Sequence, residues 1–133
     1  MPDNVEMLLA ATGVGYLVGS LSFAIIVAAA KGVDIRTVGS GNPGATNVLR
    51  EVDKATGYLV FALDFLKGWV ATIWFLLPVF VFSEDPTLGL WGLPVAVLGH
   101  TFPVFTRFRG GKGVATTMGG LLGIMPEALF IGL

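Results

Sequence analysis

The chain has 133 residues, of which 54% are hydrophobic and only 13% charged, with 19 glycines, no cysteine and a mean hydropathy of +0.82. A soluble domain carries about 25% charged residues, so this chain lacks the polar surface that water requires, and its apolar residues are blocked into runs that suit a lipid solvent. The absence of cysteine excludes disulfides, thiolate metal sites and a cysteine acyl-enzyme, while 8 basic against 9 acidic residues and a single histidine argue against nucleic-acid binding and zinc chemistry.

Residues 7–30 form a run of 24 without a charge, and a helix needs about 20 to cross a hydrocarbon core of ~30 Å. A secretory signal opens on basic residues, whereas Asp3 and Glu6 precede this run and Lys31 follows it, so the run reads as a retained helix despite Ala28, Ala29 and Ala30. A second run covers 57–82 and is interrupted by Asp64 and Lys67. These lie one turn apart on one helical face and are expected to pair as a structural salt bridge. A third run, 88–105, contains Pro94, Gly99 and Pro103, which bend or break a helix unless neighbours satisfy the freed backbone groups. The fourth, 114–133, reaches the last residue inside an apolar helix, so the sequence reads as part of a longer protein. The expectation is an all-α, polytopic transmembrane bundle of four helices in one integral membrane domain, 1–133, without internal repeats of the inverted-transporter kind.

The connecting segments are 31–56, 83–87 and 106–113. The first and third hold Lys31, Arg36, Arg50, Lys54, Arg107, Arg109 and Lys112, seven of the eight basic residues. Lysine and arginine are retained on the cytoplasmic side. Both basic loops are therefore expected inside, facing each other at one membrane surface, with the amino terminus outside.

The first loop contains Gly39, Ser40, Gly41, Asn42, Pro43 and Gly44, followed by Asn47 and Arg50. Three glycines in six residues let the backbone expose successive N–H groups, and the next segment can open a helix whose amino end favours an anion such as phosphate. A plain glycine turn is the alternative. The formal G-x-G-x-x-G match is not a dinucleotide site, because the acidic residue about twenty positions on is Asp64, inside a membrane-length run. The second loop sets Lys112 among Gly110, Gly111 and Gly113 before a helix, which also admits an oxyanion. It is not a Walker A loop, since Thr106 and Gly113 stand where that motif needs a glycine and a hydroxyl residue. Anchoring to lipid head groups would explain Arg107, Arg109 and Lys112 but not the glycines. His100, near this loop, is either a hydrogen-bonded structural residue or part of a site, because ionisable groups in a span are costly. Two positions either side of Ser40 stand Val38 and Asn42, where a nucleophile elbow needs glycines, and Phe105 occupies the aspartate position of a histidine-x4-aspartate acyltransferase signature. What remains is a phosphate-binding membrane surface without an evident protein nucleophile.

The runs GSGNPGATNVLR, 39–50, and GHTFPVFTRFRGGKGVAT, 99–116, together with LDFLKG at 63–68, closely resemble the bacterial acyl-phosphate-dependent glycerol-3-phosphate acyltransferases, the PlsY family. The likeness covers essentially the whole chain. The resemblance implies a multi-pass protein of the bacterial inner membrane with about seven helices over roughly two hundred residues, of which this chain supplies four. It implies acyl phosphate and glycerol 3-phosphate as substrates, lysophosphatidic acid as product, membrane lipids as surroundings and no cofactor or metal. A third cytoplasmic motif of the family would lie beyond Leu133. By motif position, Ser40 and Arg50 would hold a substrate phosphate, with Gly39, Gly41, Asn42, Gly44 and Asn47 around it. Gly110, Gly111, Lys112 and Gly113 would bind phosphate from the second loop. Acyl phosphate is already activated, so direct attack by the substrate hydroxyl suffices, with a substrate phosphate oxygen or His100 as base. A non-catalytic lipid- or anion-binding membrane protein, or a small transporter, would use the same loops differently.

Overall fold

A computed structural model describes residues 5–74 and 87–126. The expected ends of the second and fourth spans, 75–82 and 127–133, and residues 83–86 of the intervening loop lie outside those residues. The regular structure described is helical: α1 (Val5–Gly19), α2 (Phe23–Ala30), α3 (Ala45–Glu51), α4 (Lys54–Ile73), α5 (Thr87–Thr101) and α6 (Val114–Ile124), with 3-10 turns at Ile35–Thr37 and Val104–Thr106. Val5–Ala30, Lys54–Ile73 and Leu88–Thr106 are long and apolar enough to cross a membrane, and α6 is a shorter apolar helix.

The first span is not one continuous helix, as its unbroken apolar pattern suggests, but two. Ser20 Oγ donates back to the carbonyl of Tyr16 at 2.7 Å, a contact that loosens a helix, and Ser22 has left helical geometry with φ −93° and ψ 87°. The break sits at 20–22 and releases the carbonyl of Leu21, which Lys67 Nζ takes up at 2.7 Å. A freed backbone group at membrane depth requires such a partner.

α4 starts at Lys54, before the expected apolar run, because Asp53 caps it. The N–H of Thr56 donates to Asp53 Oδ1 at 2.7 Å, and this hydrogen bond holds the Asp53 carboxyl below the usual carboxylate range. α5 passes through Pro94 without interruption and ends before Pro103.

Small residues set the helix spacing. A side chain at Gly68 of α4 would run into the backbone of Thr116 on α6, and one at Gly119 of α6 into the backbone of Phe65 on α4. The pair α1 and α5 repeats the device, with Gly19 against Ala96 and Gly99 against the carbonyl of Tyr16. In lipid no hydrophobic force drives helices together, so close backbone approach and interhelical hydrogen bonds carry the association. Two such bonds join α1 to the α5 region, Tyr16 Oη to the carbonyl of Phe102 at 2.7 Å and Trp91 Nε1 to Thr12 Oγ1 at 2.6 Å. Leu9, Leu17, Ile26, Leu59, Leu66, Leu90 and Leu98 face outward, an arrangement that lipid tolerates and water does not. At one end, Ala24, Ala28, Ile35, Val48 and Val60 form a small buried core. It ties the 31–51 segment to α2 and α4 and so fixes the first glycine loop.

Candidate functional site

The two glycine loops meet. A cavity of about 480 Å³ lies between them, lined by Ser40, Asn42, Gly44, Ala45, Thr46, Asn47 and Arg50 from the first loop and α3, and by Lys112, Gly113, Val114 and Ala115 from the second loop and α6. His100, Asp64 and Phe61 complete the wall. The starts of α3 and α6 thus both border one space, and their unpaired N–H groups and positive ends favour an anion there.

The first loop is held from behind by Asn47, which is buried. Its Nδ2 donates to the carbonyls of Ile35 and Val38 at 3.2 and 3.1 Å, and its Oδ1 accepts the N–H of Ser40 at 3.3 Å. All polar atoms of this side chain are engaged, so Asn47 shapes the loop. Ser40 Oγ accepts the N–H of Asn42 at 3.2 Å, which leaves its hydroxyl proton free to donate. Gly39 and Gly41 have φ of +54° and +72°, a region closed to most side chains, and Ser40, between these two reversals, borders the cavity.

In the second loop the N–H groups of Gly110 and Gly111 donate to the carbonyls of Thr101 and His100 at 3.0 and 3.2 Å. These two glycines therefore anchor the loop to the end of α5, and their amides are not available to a phosphate. Gly111 is required for a different reason: a Cβ there would lie 2.5 Å from His100 Nε2 and 3.0 Å from the carbonyl oxygen of Pro43. It is the point where the loops touch. Gly113, at φ +82°, turns the chain into α6.

Charge is distributed unevenly. Arg36 is paired with Asp34, Nε to Oδ1 at 3.0 Å, and its hydrogen bonds hold the Asp34 carboxyl below the usual carboxylate range. Arg50 and Lys112 line the cavity, and neither makes an ion pair or side-chain hydrogen bond among the described residues. Two cations without an anionic partner among the described residues, a hydroxyl donor and two helix starts border one space, a set of groups whose chemistry suits an anion.

Asp64 and Lys67 pair as expected from their spacing, with Nζ to Oδ1 at 3.2 Å and both side chains only 3% exposed. The spacing did not reveal that Lys67 also reaches His100 Nδ1 at 2.8 Å, nor that Asp64 and Phe61 border the cavity. Of the expected site residues, Ser40, Asn42, Gly44, Asn47, Arg50, His100, Lys112 and Gly113 come together there. Gly41 and Gly110 instead line a second opening of about 950 Å³, which shares Ser40 and Asn42 with the first and is also bordered by Arg36, Arg107 and Arg109. Gly39 and Gly111 line neither. The polar cavity shares Phe61 with an apolar groove of about 580 Å³ along α4, formed with Ala62, Phe65, Leu66, Trp69 and Leu122.

Fold and site define a class: a polytopic helical membrane protein with a cavity lined by basic and polar groups at the junction of two loops and an apolar groove beside it. The chain belongs to the glycerol-3-phosphate acyltransferase family, whose model matches residues 9–133. It is 51% identical over 122 residues to a glycerol-3-phosphate acyltransferase of Albidiferax ferrireducens, covering 89% of this chain and 53% of the relative. It is also 51% identical over 117 residues to one of Aquifex aeolicus, covering 86% and 59%. The chain thus spans little more than half the length of these relatives. Among solved structures it resembles the integral membrane glycerol 3-phosphate acyltransferase PlsY in its glycerol 3-phosphate form, with 42% identity, a TM-score of 0.80 and coverage of 92% of this chain and 60% of that one. The lysophosphatidic acid form matches with a TM-score of 0.77.

Proposed function

We propose that the protein containing this chain transfers a fatty acyl group from acyl phosphate to the sn-1 hydroxyl of glycerol 3-phosphate, giving lysophosphatidic acid and inorganic phosphate. The observation that carries this reading is the pairing of Arg50 and Lys112, both without an anionic partner among the described residues, across a cavity that shares Phe61 with an apolar groove. Both substrates bear phosphate and one bears an acyl chain, so a polar pocket joined to a lipid-facing groove suits the pair. The family and the glycerol 3-phosphate form of its structural relative support the acceptor.

In the reaction the sn-1 oxygen attacks the acyl carbonyl carbon and the bond from that carbon to the phosphate oxygen breaks. The phosphate leaves with the electron pair, and the hydroxyl proton passes to a base. Ser40 and Arg50 hold a substrate phosphate, Lys112 and the start of α6 hold charge from the other side, and Asn42, Gly44 and Asn47 keep the pocket open. Catalysis then consists of positioning and of stabilising charge on the departing phosphate. The loops face the cytoplasm of a bacterial inner membrane, with the amino terminus outside.

Radiolabelled glycerol 3-phosphate with palmitoyl phosphate, supplied to membranes containing the full-length protein, tests the reading. Labelled lysophosphatidic acid is the expected product. Saturable binding without product identifies an anion or lipid binder instead, and uptake into vesicles identifies a transporter.

A further inference from the structure

Lys67 and His100 belong to different helices and meet behind the cavity wall. Around Lys67 Nζ stand three atoms: the carbonyl oxygen of Leu21 at 2.7 Å, Asp64 Oδ1 at 3.2 Å and His100 Nδ1 at 2.8 Å. An ammonium has three N–H donors and no lone pair. A neutral amine at this position would leave the buried Asp64 carboxylate without its countercharge, an arrangement that proteins avoid. The Leu21 carbonyl only accepts. With Lys67 as the ammonium partner of the Asp64 carboxylate, His100 Nδ1 presents a lone pair to it, and a neutral imidazole with a bare Nδ1 carries its proton on Nε2. The doubly protonated ring is excluded by the same contact, since it would place a second cation and a second donor 2.8 Å from the first.

We propose that Lys67 is a positioning residue that holds His100 as its Nε2–H tautomer, which makes the histidine a hydrogen-bond donor at the seam of the two loops. The Nε2 edge faces Gly111, where an added Cβ would lie 2.5 Å away, and that same point is 3.0 Å from the carbonyl oxygen of Pro43. His100 also borders the cavity. Its outward nitrogen can steady an oxygen of the loop or of a bound phosphate, and it has no lone pair with which to accept a proton.

The sequence has one histidine, so selective 15N-histidine labelling of the full-length protein, with His100→Gln to assign the signal, reads the tautomer directly. In the unsubstituted protein at neutral pH, Nδ1 should resonate as an unprotonated imine nitrogen and Nε2 as a protonated pyrrole nitrogen. A protonated Nδ1 there overturns the proposal, and this measurement needs no variant to fold. Lys67→Met should give a mixture of tautomers, while Lys67→Arg should restore the single form. An unchanged single tautomer in Lys67→Met would remove Lys67 from the role. Adding glycerol 3-phosphate should shift the Nε2 signal and leave Nδ1 unprotonated. If the tautomer is as stated and no acyl transfer occurs, the reaction reading fails and the tautomer assignment stands.

Discussion

Asn47 Oδ1 accepts the backbone N–H of Ser40 at 3.3 Å, so the residue at the mouth of the cavity hangs from the helix behind it. The same amide binds two further carbonyls, those of Ile35 and Val38. One buried side chain thereby sets the path of residues 35–40, and the position of Ser40 depends on α3 as much as on the glycines beside it.

Asn47→Leu should consequently affect both stability and binding. It strands the Ile35 and Val38 carbonyls, at a cost of about 1–3 kcal/mol each if they find no water, and it frees Ser40. A lower thermal midpoint in detergent together with a raised KM for glycerol 3-phosphate is expected. Lower stability with unchanged kinetics would show that the loop keeps its shape without the clamp.

Gly111→Ala pushes a methyl group between His100 Nε2 and the Pro43 carbonyl. The loops must separate by a few tenths of an ångström or more, which enlarges the cavity between them without removing a charge. KM for glycerol 3-phosphate should rise more than kcat falls. An unchanged KM with lost turnover would assign this contact to the chemical step.

Ser40 is an anion ligand in the proposed reaction and not a nucleophile. Ser40→Ala should lower turnover on the order of 10²–10³ if the hydroxyl acts as a single oxyanion donor. Arg50→Lys should also be damaging, because a planar fork becomes a point charge. Kinetics should be sequential, with both substrates bound together. Mass spectrometry after incubation with acyl phosphate alone should find Ser40 unmodified, and an acylated Ser40 would refute direct transfer.

Gly68 and Gly119 let α4 and α6 touch through their backbones. Gly68→Leu should force them apart, with destabilisation of about 1–3 kcal/mol or more, and it should also lower activity because Lys112 and Gly113 lead directly into α6. Retained activity at full stability would mean that the helices repack without moving the site.

The positions of the basic residues predict that Thr37→Cys and Arg107→Cys, placed in this cysteine-free chain, react with an impermeant thiol reagent only from the cytoplasmic side. A cysteine near the amino terminus should react only from outside. The opposite labelling pattern would invert the topology.

The membrane class was fully legible in the sequence, because spanning a hydrocarbon core is a matter of length and charge, and the 7–30 run meets both conditions whatever its neighbours are. The Asp64–Lys67 pair was equally legible, since residues three apart on a helix face each other by local geometry alone. That the two glycine loops share one surface was legible from the basic residues they carry, and Ser40, Arg50 and Lys112 in them underlie the phosphate chemistry proposed above. Only tertiary structure decided the rest. The break at residues 20–22 matters because Lys67 lies close enough to take the Leu21 carbonyl, and no pattern within the first span records a partner 46 residues away. The commitment of the Gly110 and Gly111 amides to α5, and the tautomer of His100, likewise depend on which atoms from distant segments arrive within hydrogen-bonding range. Composition and spacing state what a residue is able to do; the packing of helices determines which of its donors and lone pairs remain free to do it.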